Sequence, residues 1–274
     1  MSGKVIREKQ DLTYLRWAHA RNSSGTAGTL LKSGSNLSGE KIYYKLSSYD
    51  PERGVIGHEC INEIIVDRLL TLLGVEHLDY DLIYADIEIE GRIFETFLCA
   101  SQDFKKRGES KVALDDFYRG NALPGESHYD FCLRNGWMDR IDTMIAVDFI
   151  IQNRDRHGAN IEVLRDSRAH TIRLAPLFDH GLSLLFPCQM EEEVRKFDVM
   201  EDRRCQNFIG SLSTRENLKY LAGKGDVFPQ KLTPDMKKDI FRDLEGLLSA
   251  EHMDKIWKMI YERYLVYEDL QDHG

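Results

Sequence analysis

Cysteine is sparse and unpatterned: Cys60, Cys99, Cys132, Cys188 and Cys205 are odd in number, widely spread and include no C-x-x-C pair. Neither a disulfide framework nor a structural zinc site is suggested by that pattern, and a reducing, cytoplasmic compartment is the simplest one. No apolar run approaches the roughly 20 residues of a membrane-spanning helix, so membrane insertion is not expected. The opening stretch, Met1 to Gln10, has no hydrophobic signal core, which argues against Sec-type export. Positive charge is short as well, with 37 Lys and Arg against 46 Asp and Glu and a net charge of -9. General nucleic-acid binding needs clustered cations that release counterions, and the clusters at 105–107 and 203–204 are too small to supply it. Repeats and low-complexity tracts are missing too. What remains is an ordinary globular composition over 274 residues, enough for one large domain or two lobes with a substantial core.

Along the chain, residues 22–29 (N-S-S-G-T-A-G-T) are small. Leu30 and Leu31 follow, and Lys41 to Leu46 are strand formers beyond a Gly/Ser turn from Ser33 to Gly39. This predicts a hairpin whose turn can approach a ligand. From Gly57 to Leu73 the residues Ile61, Ile64, Ile65, Arg68, Leu69 and Leu72 keep helical spacing, with Gly74 as the C-cap. Tyr80 to Ala85 and Ile87 to Leu98, broken at Glu90 and Gly91, alternate like a second hairpin. Beyond Ser101 a polar, loop-like stretch containing Pro124 and Gly125 leads into a long helix around Trp137 to Gln152, with Ile141, Ile145, Asp148 and Phe149 near one stripe. Ile161 to Leu164 and Thr171 to Leu174 predict short strands. Pro234 to Leu270 predicts two helices, one striped by Leu244, Leu247 and Leu248, the other by Ile256, Met259, Ile260 and Tyr264. A strand-rich lobe over residues 1–103 and a helix-rich lobe over 104–274 make an α+β, bilobal arrangement.

Two short segments carry the chemistry. Residues 153–160 read N-R-D-R-H-G-A-N and contain Asp155 and Asn160; residues 178–181 read F-D-H-G and contain Asp179. Phosphoryl transfer needs a carboxylate to orient the attacking hydroxyl, and a carboxamide plus a second carboxylate to hold magnesium on the ATP phosphates. Standing alone, the first segment is also a helix-terminating turn and Asp179 a turn aspartate; their pairing gives both one purpose. Upstream, Ser24, Gly25, Thr26, Ala27 and Gly28 offer backbone N–H groups to phosphates, although G-x-x-G among Ser and Thr is by itself equally a flexible turn. Lys45, in strand-like sequence, is the cation to reach the phosphates. Glu63 is the helix carboxylate to fix it, with Glu59 one turn earlier as the alternative. In isolation these would be a surface lysine and a solvated glutamate. Their order of small loop, strand Lys, helix Glu, catalytic Asp and Asn, then metal Asp points to ATP and Mg²⁺ as cofactors.

Protein kinases use that order, with H-R-D-x-x-x-x-N followed by D-F-G. The chain more specifically resembles the HipA-like serine/threonine kinases, whose catalytic segment is N-x-D-x-H-x-x-N followed by an apolar strand ending in Asp. Asn153, Asp155, His157 and Asn160 match the first pattern, and L-A-P-L-F-D at 174–179 looks like the second. The resemblance runs from about residue 23 to 265 and is strongest over 149–184. It implies a protein-kinase-like fold with a β-rich N-lobe and a helical C-lobe, transferring the ATP γ-phosphate to Ser or Thr of a protein. By the same resemblance Asp155 is the base, Asn160 and Asp179 bind magnesium, Lys45 meets the α/β-phosphates, Glu63 positions Lys45, and His157 shapes the loop. It also implies self-phosphorylation in the loop at Ser23, Ser24, Thr26 or Thr29, where added phosphate would repel the nucleotide. Three departures stand out. The chain is too short for the extra N-terminal subdomain of full-length HipA toxins, so toxin function and antitoxin pairing do not carry over. The loop has no G-x-G-x-x-G, and Asn153 replaces the histidine of eukaryotic-type kinases.

Three other readings compete. Asp155, His157, Asp179 and His180 could ligate a hydrolytic metal pair. A nucleotide-binding pseudokinase would keep the fold without the chemistry. A small-molecule or lipid head-group kinase would share the catalytic logic with another acceptor. Residues 188–208 stand where an activation or substrate loop would lie, and their mixed charge also suits a solvated surface loop. The sequence names neither the acceptor nor an oligomeric state.

Overall fold

The computed structural model describes residues 3–21, 27–37 and 40–273. The first part is built on β1 (Val5–Asp11), β2 (Ala18–Arg21), β3 (Ala27–Leu37), β4 (Glu40–Lys45), the short pair β5 (Tyr49–Asp50) and β6 (Gly54–Val55), and α1 (Glu59–Leu73). The hairpin of β7 (Asp81–Ile89) and β8 (Arg92–Gln102) completes a six-stranded sheet in the order β1-β7-β8-β4-β3-β2. Its turn is made by Glu90 and Gly91, both at positive φ (52° and 78°), the conformation a tight hairpin turn demands.

Side-chain alternation divides the sheet between two cores. Leu31, Tyr44, Leu46, Ile83, Leu98 and Ala100 pack on one face in a small cluster closed by Leu12 and Leu15. Leu82 and Cys99 point the other way, into the large core shared with α1. That helix is buried almost all round, from Cys60 to Leu73, because it lies between the sheet and the helical second part. Gly74 ends it in the left-handed conformation (φ 73°) expected of a C-cap glycine.

The second part contains β9 (Glu109–Ala113), α2 (Leu114–Asn121), α3 (His128–Arg134), α4 (Met138–Ile150) and β10 (Asp155–Arg156). After these come β11 (Glu162–Asp166), β12 (Thr171–Leu174), α5 (Glu191–Lys196), β13 (Gln206–Asn207), α6 (Thr214–Asn217), α7 (Lys237–Ile240) and α8 (Ala250–His273). α4 is the centre of the large core, with Ile141, Met144, Ile145, Val147 and Phe149 buried. Arg263 of α8 reaches its end and donates to the carbonyl of Phe149 there (3.1 Å) and to those of Val199 (2.7 Å) and Glu201 (2.9 Å) in the loop after α5, joining the two.

Two expectations are corrected, and one strand went unread. The polar opening is strand β1, paired in parallel with β7 at the edge of the sheet, where mostly exposed side chains leave no apolar alternation to read. The loop-like stretch after Ser101 holds β9, α2 and α3, elements of five, eight and seven residues that are too short to display a period. In the tail, the first expected helix shrinks to the single turn of α7, because Asp243 (φ 59°) and Gly246 (φ 81°) turn the chain; Leu244 and Leu248 are buried from loops.

Candidate active site

Lys45 ends β4 between Tyr44 and Leu46, which face the small core, so its own side chain is directed toward α1. There its Nζ donates to Glu63 Oε1 at 2.6 Å and to Asp179 Oδ1 at 2.5 Å. Glu63 is fully buried, and its other oxygen accepts the backbone N–H of His180 at 2.8 Å, so a carboxylate in the core is satisfied on both sides. Burial works against the charge of Lys45, but Asp179 and Glu63 outweigh it and hold the ammonium well above its ordinary range. Glu59 is engaged elsewhere, accepting from the backbone N–H and hydroxyl of Ser48. Of the two glutamates it is therefore Glu63 that meets Lys45.

Asp179 adopts φ 58°, in the left-handed region that aspartate enters more readily than most non-glycine residues. Its N–H donates to the hydroxyl of Tyr80 at 3.3 Å, and its second oxygen accepts from Lys32 Nζ at 3.3 Å. Burial disfavours the charged carboxyl, yet Lys32 and Lys45 together keep its pKa far below the usual carboxylate range. Lys32 was not anticipated. Leu37 pairs with Glu40 and Lys32 with Lys45, so β3 runs on through Ser33 to Leu37 where a longer turn was expected. The S-G pair at 38–39 is the sequence signal that would have set this register.

The segment after α4 is held as a unit. Asn160 Nδ2 donates to the carbonyl of Asp155 (2.8 Å) and to its Oδ2 (3.1 Å), leaving the amide oxygen as the atom available to a cation. The other carboxylate oxygen of Asp155 lies 3.4 Å from His157 Nε2, while His157 Nδ1 accepts the N–H of Ala159, so this histidine shapes the loop. Asn153 accepts the N–H of Asp155 (3.1 Å) and donates to Asp148 (2.8 Å). Arg156 is fully buried and paired with Asp148, and one of its nitrogens donates both to the carbonyl of Asn160 (3.2 Å) and to that of Phe178 (3.0 Å). One guanidinium thereby ties the Asp155–Asn160 loop to the residue before Asp179. The Asp179 carboxylate itself is engaged by the two lysines rather than by Asn160 or Asp155.

Lys32, Lys45 and Asp179 line a cavity of about 450 Å³ whose walls include Tyr43, Tyr80, Phe104 and Phe178. Phe104 and Phe178 lie against each other with ring centroids 5.5 Å apart. Ser24, Gly25 and Thr26, the centre of the expected phosphate loop, lie outside the described residues, as does Ser23; Ala27 and Gly28 open β3. Hard oxygen donors on Asp179 and Asn160 suit Mg²⁺. The hydrolase reading gains no support from this geometry: the Asp179 carboxylate is taken by Lys32 and Lys45. Among the described residues, the side chains close enough to share an ion as a His and acidic cluster are Asp67, His77 and Asp79 instead.

Residues 188–208 expose most of their charged side chains, as a solvated surface segment does, and are anchored through the buried Val194, Phe197, Val199, Cys205 and Phe208. β13 pairs in parallel with β10, matching Asp155 with Gln206 and Arg156 with Asn207, so this segment is anchored beside the Asp155 loop.

In sequence, no family model and no curated protein matches the chain. Among solved structures, the Helicobacter pylori proinflammatory kinase CtkA superposes with a TM-score of 0.67 at 15% identity, over 96% of this chain and 99% of that one. The Golgi casein kinase gives 0.44 at 12% identity over 90% and 72%. A chain of the Shewanella oneidensis MR-1 HipA, HipB and operator DNA complex gives 0.41 at 14% identity over 93% and 60%. The CtkA match defines the class of fold: this chain has a protein-kinase-like fold, β-rich in its first part and helical in its second.

Proposed function

We propose that the protein is an ATP-dependent kinase that transfers the γ-phosphate to Ser or Thr of a protein, with residues 1–103 and 104–274 as the two lobes around the cleft. The observation that carries this reading is the Lys45 ammonium held between Glu63 and Asp179 on the wall of a cavity large enough for a nucleotide. A surface lysine would not be buried against two carboxylates; a phosphate-binding lysine has to be presented in this way. The fold neighbour with the 0.67 TM-score is itself named a kinase. Protein Ser/Thr as acceptor draws its support from the N-x-D-x-H-x-x-N pattern at Asn153, Asp155, His157 and Asn160.

In this reading the triphosphate lies along Lys45, with the base between the aromatic side chains of the cavity. Asp155 takes the proton of the acceptor hydroxyl as its oxygen bonds to the γ-phosphorus and the bond to the β-phosphate oxygen breaks, releasing ADP. Asn160 fixes Asp155 by its amide nitrogen, so that the carboxylate is already oriented. Asn160 and Asp179 would hold magnesium, which when bound neutralises charge on the phosphates. The Ser23–Thr29 stretch is the proposed site of self-phosphorylation.

The test is transfer of labelled phosphate from ATP into a cell lysate, wild type against Asp155→Ala, with phosphosite identification. Loss of a positioned general base predicts a drop of about 10²–10⁴-fold with ATP binding retained. Near-normal transfer by the variant would remove Asp155 from its role, and phosphate appearing on small molecules or lipids alone would replace the protein acceptor with that class.

A further inference from the structure

β3 and β4 run antiparallel with Lys32 directly opposite Lys45. Like charges at such cross-strand positions repel, and here one carboxylate separates them: Asp179 gives Oδ1 to Lys45 at 2.5 Å and Oδ2 to Lys32 at 3.3 Å. The two lysines are placed differently. Lys45 has a second carboxylate in Glu63 and a side chain only 10% exposed. Lys32 is 35% exposed, lines the cavity, and among the described residues has Asp179 as its ion-pair partner. A carboxylate that ligates a divalent cation directs its charge to the metal and no longer neutralises two ammonium groups. Lys45 would then keep Glu63, whereas Lys32 would need another anion within the same cavity.

We propose that Lys32 is a second phosphate-binding cation of the nucleotide site: it neutralises Asp179 while the site is empty, and exchanges that carboxylate for a phosphate oxygen when metal and nucleotide arrive together. This rests on the kinase reading and extends it. It gives Lys32 two opposed effects, since its charge opposes a metal arriving alone and favours a metal that brings phosphates. Metal and nucleotide then assist each other's binding through one side chain.

The experiment uses the full chain with Lys32→Met and Lys32→Arg, folding of each being checked by thermal melting. Two probes are titrated: a non-hydrolysable ATP analogue with Mg²⁺, by calorimetry, and Mn²⁺ alone, by electron paramagnetic resonance. Loss of a charge-assisted bond to phosphate should weaken the analogue about 10- to 100-fold in Lys32→Met, with partial recovery in Lys32→Arg. Removal of a nearby positive charge should tighten Mn²⁺ alone by about fivefold or more. Analogue affinity unchanged in Lys32→Met overturns the proposal, and so does weakening of both probes, which would make Lys32 a prop of the site. Wild type that binds no analogue at all would instead overturn the kinase reading on which the proposal stands.

Discussion

Arg156 joins the two loops of the candidate site. Fully buried, it neutralises Asp148 and spans the carbonyls of Asn160 and Phe178, so the loop bearing Asp155 cannot shift without the residue before Asp179. Burial opposes its charge, but Asp148 outweighs that and raises its pKa further. Replacement by methionine would keep the volume and leave Asp148 as a buried charge without its cation. Arg156→Met should therefore lose about 3–5 kcal/mol in denaturant unfolding. A loss below about 1 kcal/mol would mean that the tie between the two loops is maintained by other contacts. Gly158 is crowded from another side: a Cβ there would collide with the Asp115 carboxylate and the Phe208 ring, so a larger residue has to displace one of them. At this scale the segments around Asp155 and Asp179 were legible because their chemistry is local in sequence. Lys32 was not, since its meaning comes from strand register, and neither was Arg156, whose partners lie on α4 and before Asp179.

Among the elements, α1 links the sheet to the helical part. Glu63 meets Lys45 on one side, and Asn62 donates to the carbonyls of Gly181 (3.1 Å) and Ser183 (3.0 Å) on the other. The start of α1 also meets α8: His58 and His252 contact edge to face at 4.6 Å, both buried, with His58 Nε2 against the carbonyl of Leu185. Burial pushes each pKa down to about 4. The folded state therefore holds them neutral where the unfolded chain takes up protons. Their contribution is complete above about pH 6.5 and is lost as the pH falls toward 4. Unfolding free energy should decrease over that window by on the order of 1–3 kcal/mol, and His252→Phe should flatten the slope. An identical slope in the variant would assign the acid sensitivity to other groups. Helices α1 and α4 and the β7–β8 hairpin could be read from sequence because each is long enough to show its period or carries a Gly-marked turn. β1 hides on an exposed edge, and the tail's Leu244 and Leu248 are buried from turns, so their apolar character suggested a helix that backbone geometry forbids.

For the whole molecule, the sheet and the helical part both contribute to the candidate site: Lys32 and Lys45 from the β3–β4 hairpin, Glu63 from the bridging helix, Asp155 from β10, and Asn160 and Asp179 from the segments before β11 and after β12. Around Asp179 two lysines face two carboxylates, Asp179 itself and Glu63. If Asp179 exchanges lysine for metal when nucleotide binds, nucleotide affinity depends on Mg²⁺ through this carboxylate. Calorimetric titration of a non-hydrolysable ATP analogue into wild type and Asp179→Ala, each in Mg²⁺ and in EDTA, tests it directly. Wild type should bind at least about tenfold more tightly with Mg²⁺, and in Asp179→Ala that ratio should fall toward one, because the freed lysines bind phosphate without a metal. Equal affinities with and without Mg²⁺ in wild type, or an unchanged ratio in Asp179→Ala, would mean that Asp179 does not hold the metal.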